Sequence, residues 1–154
     1  MDIALFQPDI AGNVGTILRL SACLGARCHI IEPCGFAFGA RALKRAGMDY
    51  LEAADYLRHP DWSGFARWAA ENDRRIMLMT TRGSSALPKA QFESDDILLM
   101  GSESAGVPKH VHESASGRIH IPMREGFRSL NVAVAAGIAL GEALRQTEQY
   151  PDGA

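Results

Sequence analysis

Apolar runs of strand length alternate along the chain with segments whose apolar residues recur at helical spacing. Residues 3–6 and 28–31 are two such runs, each followed by turn-forming residues, which is typical of buried strands. Between them, residues 14–24 carry apolar side chains at helical spacing, and Gly25 follows as a stop signal. The chain therefore begins as strand, helix and strand.

The same alternation continues towards the end of the chain. The pattern predicts further helices at residues 40–46, 61–71 and 129–146, and further strands at residues 50–56, 75–81, 96–100 and 119–122. Strands that alternate with helices indicate an α/β fold, with a mostly parallel sheet covered by helices on both faces. No linker, repeat or low-complexity tract interrupts residues 1–154, so we expect a single domain.

Three of the predicted strands end in polar or glycine-rich loops. The loops begin after Met79, Met100 and Ile121. In open parallel sheets, ligands bind where the carboxyl ends of the strands meet such loops. We therefore expect these three loops to converge on one ligand site.

Composition narrows the class of protein. Hydrophobic residues make up 47% and charged residues 22% of the 154 residues, as in chains that fold. No apolar run approaches the roughly 20 residues that span a bilayer, and the N-terminus lacks the pattern of a signal peptide, so we expect a cytoplasmic protein without a membrane partner. The three cysteines are too few and too unevenly spaced for a zinc site or a disulfide framework, and we expect no bound metal.

The net charge of −2 argues mildly against a nucleic-acid partner, because proteins that bind nucleic acids usually present a basic surface. Two local clusters of basic residues change that picture. Arg41, Lys44 and Arg45 lie at helical spacing, and Arg124 and Arg128 flank the loop before the last helix. Each cluster fits an RNA-facing patch, and each also fits an ordinary solvated surface.

Two further segments have features of ligand-binding loops. Residues 12–19 open a helix, where free backbone N–H groups favour anions, and Arg19 follows Gly15 by about one turn. Residues 101–108 contain two glycines and a glutamate, but match neither the G-x-G-x-x-G fingerprint nor a phosphate loop with its lysine. The simpler interpretation of residues 12–19 is a capped helix whose arginine forms a surface ion pair. The simpler interpretation of residues 101–108 is an ordinary turn.

The last predicted helix is rich in alanine and glycine. Ser129 is placed to cap it, and Gly137 and Gly141 lie inside it. A glycine inside a helix costs up to about 1 kcal/mol, so we expect both glycines to have a packing reason. The small side chains fit either a tightly packed core helix or a close interface with another backbone.

Taken in order, these segments resemble the SPOUT class of RNA methyltransferases, and within it the tRNA (cytidine/uridine-2′-O)-methyltransferases that modify the wobble position of the anticodon. The resemblance spans about residues 3–146. Each motif alone is weak, whereas their common order and spacing are specific. The motifs that carry the resemblance are Gln7-Pro8, Asn13-x-Gly15-x-x-x-Arg19, His29-Ile30-Ile31-Glu32-Pro33-x-Gly35-Phe36, Leu43-Lys44-Arg45-Ala46-Gly47-Met48-Asp49-Tyr50, Thr80-Thr81-x-Gly83, Gly101-x-Glu103-x-x-Gly106-x-Pro108, Ile121-Pro122-Met123 and Arg128-Ser129-Leu130-Asn131.

The resemblance implies a fold, a cofactor and a reaction. It implies that the C-terminal part threads through a loop as a trefoil knot, and that two copies form a homodimer through their first and last helices. It also implies that S-adenosylmethionine donates a methyl group to the 2′-hydroxyl of the wobble ribose of tRNA, on C or a modified U. The residues that match cofactor-contacting positions are Met79, Thr80, Gly101, Glu103, Gly106, Ile121, Met123, Ser129 and Leu130.

Catalytic positions are implied for Arg19, Ser129 and Asn131. A guanidinium keeps its proton well above neutral pH, so our hypothesis is that Arg19 grips the phosphate beside the target and steadies the developing alkoxide, while the other two orient the ribose. Two positions depart from the family, since Gly141 and Ala133 replace a common tyrosine and serine. The residues expected to form one RNA-facing patch across the dimer are Arg41, Lys44, Arg45, Arg124 and Arg128.

Three alternatives remain open at this level. The first is a 2′-O-methyltransferase that acts on another position of tRNA or on rRNA. The second is a different nucleotide-dependent enzyme, such as an NAD oxidoreductase, against which the missing G-x-G-x-x-G after the first strand counts. The third is a non-catalytic RNA-binding module with a vestigial pocket, against which the presence of Arg19, Glu103, Ser129 and Asn131 counts.

Overall fold

The computed structural model of the protein describes residues 1–45 and 50–153, without the side chains of residues 40, 44 and 45. The strands are β1 (Asp2–Phe6), β2 (Arg27–Ile31), β3 (Tyr56–His59), β4 (Ile76–Met79), β5 (Ser85–Ala86), β6 (Ile97–Met100) and β7 (Gly117–His120). The helices are α1 (Ala11–Leu24), α2 (Ala40–Arg45), α3 (Trp62–Glu71), α4 (Lys109–Ser114) and α5 (Val132–Thr147), with a 3₁₀ turn at Leu87–Lys89.

The strands form one seven-stranded sheet in the order β3-β2-β1-β6-β4-β7-β5. Every pairing in it is parallel. In the middle of the sheet, β1, β4 and β6 are buried along their whole length, because helices cover both faces. The predicted α/β fold with a mostly parallel sheet is confirmed.

The two faces of the sheet pack against different helices. On one face Ile17 of α1 and Leu140 of α5 are buried in a cluster with Leu98 of the sheet. On the other face Phe65 of α3 and Val111 of α4 are buried in a second cluster. Side chains at alternate positions of β6 enter opposite clusters, as the period of a strand requires.

The second face also holds a buried polar group of residues, which we call the histidine network (Asp2, His29, His59 and Arg74). His29 lies at its centre, with Nδ1 at 2.9 Å from His59 Nε2 and Nε2 at 3.1 Å from Asp2 Oδ2. Arg74 Nη2 approaches the same carboxylate oxygen at 2.9 Å. The Trp68 ring lies against His29, with centroids 4.4 Å apart. Polar side chains of four segments are thereby satisfied inside the core.

Two predicted strands were displaced along the sequence. The strand predicted at residues 50–56 begins only at Tyr56, and residues 50–54 form a turn in which Ala54 N donates to Tyr50 O at 2.9 Å. As an edge strand, β3 exposes Leu57 and Arg58, so it lacks the apolar run by which inner strands are recognised. The strand predicted at 119–122 lies at Gly117–His120 instead.

The start of α5 also differs from the prediction. Asn131, and not Ser129, is the N-cap, because its side-chain oxygen accepts from the backbone N–H groups of Ala133 and Val134. Inside the helix, a Cβ at Gly141 would lie 3.0 Å from the Tyr150 hydroxyl oxygen, whereas one at Gly137 would make only ordinary contact. Gly141 therefore lies close to the Tyr150 side chain, whereas the described residues give no packing reason for a glycine at position 137.

Candidate functional site

A cavity of about 410 Å³ opens at the carboxyl edge of the sheet. Its walls come from the start of α1, the three loops that follow β4, β6 and β7, and the start of α5. The predicted convergence of three loops on one site is confirmed. The lining residues are Ile10, Asn13, Leu78, Met79, Thr80, Thr81, Met100, Gly101, Ser102, Glu103, Gly106, Val107, Ile121, Met123, Ser129, Leu130, Asn131, Val132 and Ala135.

Strand register brings the loops together. Met79 at the end of β4 pairs with Met100 at the end of β6 and with Ile119 of β7. Because all three strands are parallel, their loops leave the sheet side by side. The methionine side chains at the strand ends give the cavity an apolar floor that can adapt to a flat ring.

Glu103 ties the loop after β6 to the segment that enters α1. Its Oε2 accepts a hydrogen bond from Asp9 N at 2.8 Å, and its Oε1 accepts one from Asn13 Nδ2 at 3.0 Å. Both carboxylate oxygens thus accept hydrogen bonds from residues that are far away in sequence, at separations of 94 and 90 positions. Glu103 therefore fixes one wall of the cavity against another.

Asn131 extends this connection to the third wall. Its Nδ2 donates to Asn13 Oδ1 at 3.0 Å, while its Oδ1 accepts from Ala133 N at 2.9 Å and from Val134 N at 3.3 Å. The same side chain thereby caps α5 and joins it to α1. We call Glu103, Asn13 and Asn131 the site relay, because they connect the three walls in one line of hydrogen bonds.

A second clamp lies beside the site relay. Asp9 Oδ2 accepts from Ser104 N at 3.0 Å and from Ser104 Oγ at 2.6 Å. These hydrogen bonds favour the ionised carboxylate and hold the pKa of Asp9 below its ordinary value. The turn before α1 and the loop after β6 are therefore joined in both directions, through Asp9 N and through the Asp9 carboxylate.

Two glycines let the loops close tightly. A Cβ on Gly83 would lie 2.5 Å from His120 N, and one on Gly101 would lie 2.8 Å from the Gly106 backbone. Gly106 itself has a φ of 64° and pairs with Ser102 through two backbone hydrogen bonds of 2.9 Å. Because any side chain at Gly83 or Gly101 would push the backbone away, these positions keep the loops in the form that shapes the cavity.

The cavity fits the cofactor that the sequence implies. S-adenosylmethionine combines an adenine ring, which needs an apolar slot with hydrogen-bonding groups at its edge, with a polar amino-acid portion. Met79, Met100, Ile121 and Leu130 supply the apolar part of the wall. The backbone after Met100 supplies peptide groups that can form hydrogen bonds with the cofactor. Because Gly101 and Gly106 have no side chains, these peptide groups stay accessible from the cavity.

The structure brings most of the predicted site residues together. Ser129 and Asn131, predicted to orient the ribose, lie in the cavity wall. Arg19 does not line the cavity; it is exposed on α1, with its guanidinium 4.7 Å from the centroid of the Tyr50 ring. All the residues predicted to contact the cofactor line the cavity, namely Met79, Thr80, Gly101, Glu103, Gly106, Ile121, Met123, Ser129 and Leu130.

The predicted RNA-binding residues lie outside the cavity. Arg124 and Arg128 are exposed on the loop between Met123 and Ser129. Arg41 is exposed on α2, and the side chains of Lys44 and Arg45 fall outside the described residues. Among the residues that the structure describes, no group of three or more His, Cys, Asp or Glu could hold a metal ion, and no helix is long and apolar enough to cross a membrane.

Sequence reasoning missed several lining residues, of which Asn13 is the most informative. It lies in the motif Asn13-x-Gly15-x-x-x-Arg19, in which the glycine and the arginine were the residues expected to lie near the ligand. The other missed residues are apolar or small, such as Ile10 and Val107. Their types are common in any core, and only the position of the strand ends could have indicated them.

Fold and site together define an α/β protein that binds a nucleotide-like ligand at the carboxyl edge of its sheet. The chain belongs to the SpoU rRNA Methylase family, whose family model matches residues 1–141. The predicted membership of an RNA methyltransferase family is confirmed.

One curated protein and two solved structures are similar to this chain over more than nine-tenths of its length. The chain is 53% identical over 145 residues to a tRNA (cytidine(34)-2′-O)-methyltransferase of Ancylobacter novellus, covering 94% of this chain and 92% of that protein. A solved structure concerned with 2-OH methylation of C/U34 on tRNA superposes with a TM-score of 0.88 at 39% identity, covering 94% of both chains. An AdoMet-bound rRNA methyltransferase from Sinorhizobium meliloti superposes with a TM-score of 0.83 at 30% identity, covering 93% of this chain and 55% of that one.

Proposed function

We propose that this protein transfers the methyl group of S-adenosylmethionine to the ribose 2′-hydroxyl of nucleotide 34 of tRNA, the wobble nucleotide. The observation that carries the proposal is the site relay, which joins the start of α1, the loop after β6 and the start of α5 around a cavity of about 410 Å³ that is suited to that cofactor. The proteins to which the chain is similar along nearly its whole length act on the 2′-oxygen of nucleotide 34.

The cofactor supplies a methyl group that is already activated by the adjacent sulfonium. The enzyme therefore has mainly to align donor and acceptor and to assist loss of the hydroxyl proton. Met79, Ile121, Met123 and Leu130 form the apolar slot for adenine, while the backbone of the loop after β6 supplies hydrogen-bonding groups. Glu103 acts on the cofactor through the loops that it positions, since its carboxylate accepts from Asp9 N and from Asn13 Nδ2 and so joins two walls of the cavity.

Asn131 has one group left to offer the substrate. An amide side chain has two N–H donors and one carbonyl oxygen with two lone pairs. The oxygen of Asn131 accepts from two backbone groups of α5, and one N–H donates to Asn13. The second N–H, whose orientation the relay fixes, donates to the ribose oxygen as negative charge develops there. Ser129, in the same wall, orients the sugar.

Arg19 acts from outside the cavity wall. Its guanidinium is exposed beside Tyr50, so we assign it a contact with the RNA phosphate next to the target ribose. From there its permanent charge steadies the developing alkoxide, and it takes no proton. Replacing Arg19 with alanine removes this contact, whereas lysine keeps the charge but loses the fork of donors. Near-normal methyl transfer by the alanine variant would remove Arg19 from the mechanism.

An apolar stripe on α5 supports the proposed homodimer. Val134 and Ile138, one turn apart, are 51% and 43% exposed, and α5 packs beside α1 on the same face of the sheet. A second copy that covers this stripe through α1 and α5 would bury it.

The basic residues of the two copies then form one surface for RNA, comprising Arg41, Lys44, Arg45, Arg124 and Arg128. We expect tRNA binding to weaken steeply as salt is raised, and binding that ignores salt would contradict this surface.

We also propose that the C-terminal part of the chain forms a knot. β7 lies beside β4, yet the segment that follows it reaches Asn13, and α5 packs against α1 and β6 on the other side of β4. Residues 121–131 therefore pass β4 on their way from β7 to α1 and β6, a path that agrees with the proposed trefoil knot. We further propose that residues 1–154 act as one domain, since β1 and β6 pair at the middle of the sheet, and that the enzyme works on tRNA in the cytoplasm.

The direct test is incubation with labelled S-adenosylmethionine and total RNA, which contains both tRNA and rRNA, followed by mapping of the labelled nucleotide. We expect one 2′-O-methyl group at nucleotide 34. Methylation of rRNA alone, or of another tRNA position, would contradict the assigned substrate. Calorimetry with S-adenosylmethionine provides an independent test, because a protein that binds NAD and not this cofactor would contradict the reaction class.

A further inference from the structure

We propose that Phe127 is a base-stacking residue, which holds a nucleobase of the substrate RNA at the mouth of the cavity. This inference rests on the proposed function and names a contact outside the cofactor cavity. Phe127 does not line that cavity, and it belongs neither to the site relay nor to the basic residues proposed to bind RNA.

The exposure of Phe127 is the first observation. Its relative exposure is 71%, whereas Ile10, Val134 and Tyr150, the next most exposed large apolar residues among those described, reach 50–51%. A phenylalanine is most stable when its ring is covered. A ring that is 71% exposed is therefore available for contact with a partner.

Its position in the chain is the second observation. Met123 and Ser129 both line the cavity, and Phe127 lies on the short loop between them. Gly126 has a φ of 89°, which favours glycine, and Phe127 N donates to Arg124 O at 3.3 Å to close the turn. The loop therefore holds the ring two residues from the wall where the ribose is to be oriented.

The chemistry around the ring is the third observation. Arg124 and Arg128 flank Phe127 and are exposed, and neither forms an ion pair with any residue that the structure describes. Proteins recognise single-stranded RNA by stacking unpaired bases on aromatic rings while cationic side chains hold the phosphates. An exposed aromatic ring on the same short loop as two exposed arginines supplies both parts of this arrangement.

A second copy of the chain is a poorer match for the ring. The core of a protein interface is depleted of charged residues, whereas the neighbours of Phe127 are Arg124, Glu125, Gly126 and Arg128. An RNA loop needs a base-stacking surface and positive charge at the same place. A nucleotide whose ribose enters the cavity also needs its base, or that of its neighbour, held outside it.

Two variants separate stacking from other roles. Phe127→Leu keeps an apolar side chain but removes the aromatic face, and Phe127→Trp, the matched control, keeps it. The probe is an anticodon stem-loop with 2-aminopurine at position 35, next to the target nucleotide. We expect the leucine variant to bind this RNA about 10-fold more weakly and to raise KM for tRNA by a similar factor. The tryptophan variant keeps wild-type affinity.

Four further readouts separate stacking from a structural effect. We expect S-adenosylmethionine affinity, melting temperature and dimerisation to be unchanged in both variants, and quenching of 2-aminopurine on binding to be reduced only in the leucine variant. Wild-type RNA affinity and KM in the leucine variant would overturn the inference, as would a change in its oligomeric state. A wild-type enzyme that methylates no tRNA would instead contradict the proposed function, so the two failures are distinguishable.

Discussion

Two polar networks of this protein are built from similar interactions but differ in what they leave free. The histidine network (Asp2, His29, His59 and Arg74) lies under Trp68 on one face of the sheet, and its His29 is fully buried. The site relay lies at the carboxyl edge and lines a cavity. The first network contains the residue types usually associated with catalysis, whereas the second consists of two amides and one carboxylate.

The difference shows which property marks a functional site. In the histidine network, both ring nitrogens of His29 face polar partners within the core. In the site relay, Asn131 keeps one N–H beside a cavity after its other groups are engaged. Hydrogen-bonding capacity that is left over next to a cavity is thus a better guide to function than residue type. We expect the first network to determine stability and the second to determine activity.

The largest effect is expected at Asn131. Asn131→Ala removes the remaining donor and the link to Asn13, and we expect kcat to fall about 100-fold. Asn131→Asp is the matched control, because its carboxylate still caps α5 but donates nothing. Steady-state kinetics should show a similar loss for both variants, while only the alanine variant loses about 1 kcal/mol of stability. An aspartate variant with wild-type kcat would contradict the role of the donor.

A smaller effect is expected at Asp2, and on stability instead of activity. Asp2→Asn leaves the positive charge of Arg74 without its partner at 2.9 Å, in a place where Asp2 is only 7% exposed. We expect the free energy of unfolding to fall by about 2 kcal/mol. Urea denaturation measures the loss, and kcat at a temperature where the variant is folded should be unchanged. A reduced kcat in the folded variant would show that the histidine network also affects activity, and would contradict the separation of the two networks.

Glu103 tests whether the relay acts through the loops. Glu103→Gln replaces one acceptor oxygen with an amino group that faces either Asp9 N or Asn13 Nδ2, so one donor loses its partner. We expect S-adenosylmethionine affinity to fall about 10-fold, corresponding to about 1.4 kcal/mol. Calorimetry measures the change, with Glu93→Gln, at an exposed ion pair with Arg75, as the control. Unchanged affinity would show that the loops hold their form without Glu103.

The smallest effect concerns pH. Burial, and then the nearby charge of His29, lower the pKa of His59 below its ordinary value of 6.5. As pH falls below about 6.5, the unfolded chain binds a proton at His59 before the folded protein does, so stability decreases with acidification. Each pH unit in that window changes stability by at most about 1.4 kcal/mol. Melting curves of His59→Gln should depend less on pH between about 5 and 6.5, and an equal dependence would assign the effect to other groups.

Much of the fold could be predicted because its central elements have one-sided or fully buried patterns. β1, β2, α1 and α3 were predicted at nearly their observed positions for this reason. β3 was misplaced because Leu57 and Arg58 face solvent at the sheet edge, and β7 because Gly117 and Arg118 give it no apolar start. An apolar pattern indicates burial, and edge strands are only partly buried.

The candidate site was predictable in its location and in many of the residues that line it, because strand ends and family motifs are local features of sequence. The site relay was not predictable. Asn13 and Asn131 are 118 positions apart, so no local pattern indicates that their side chains meet. Long-range hydrogen bonds between ordinary polar residues leave no pattern in a single sequence.

The central claim is that the cavity presents a methyl group to the 2′-oxygen of nucleotide 34. The most direct measurement compares methyl transfer to two synthetic anticodon stem-loops that differ only in having ribose or 2′-deoxyribose at that nucleotide. We expect transfer to the first and none to the second, with equal binding of both. Transfer to the deoxyribose substrate, or to neither although both bind, would contradict the account.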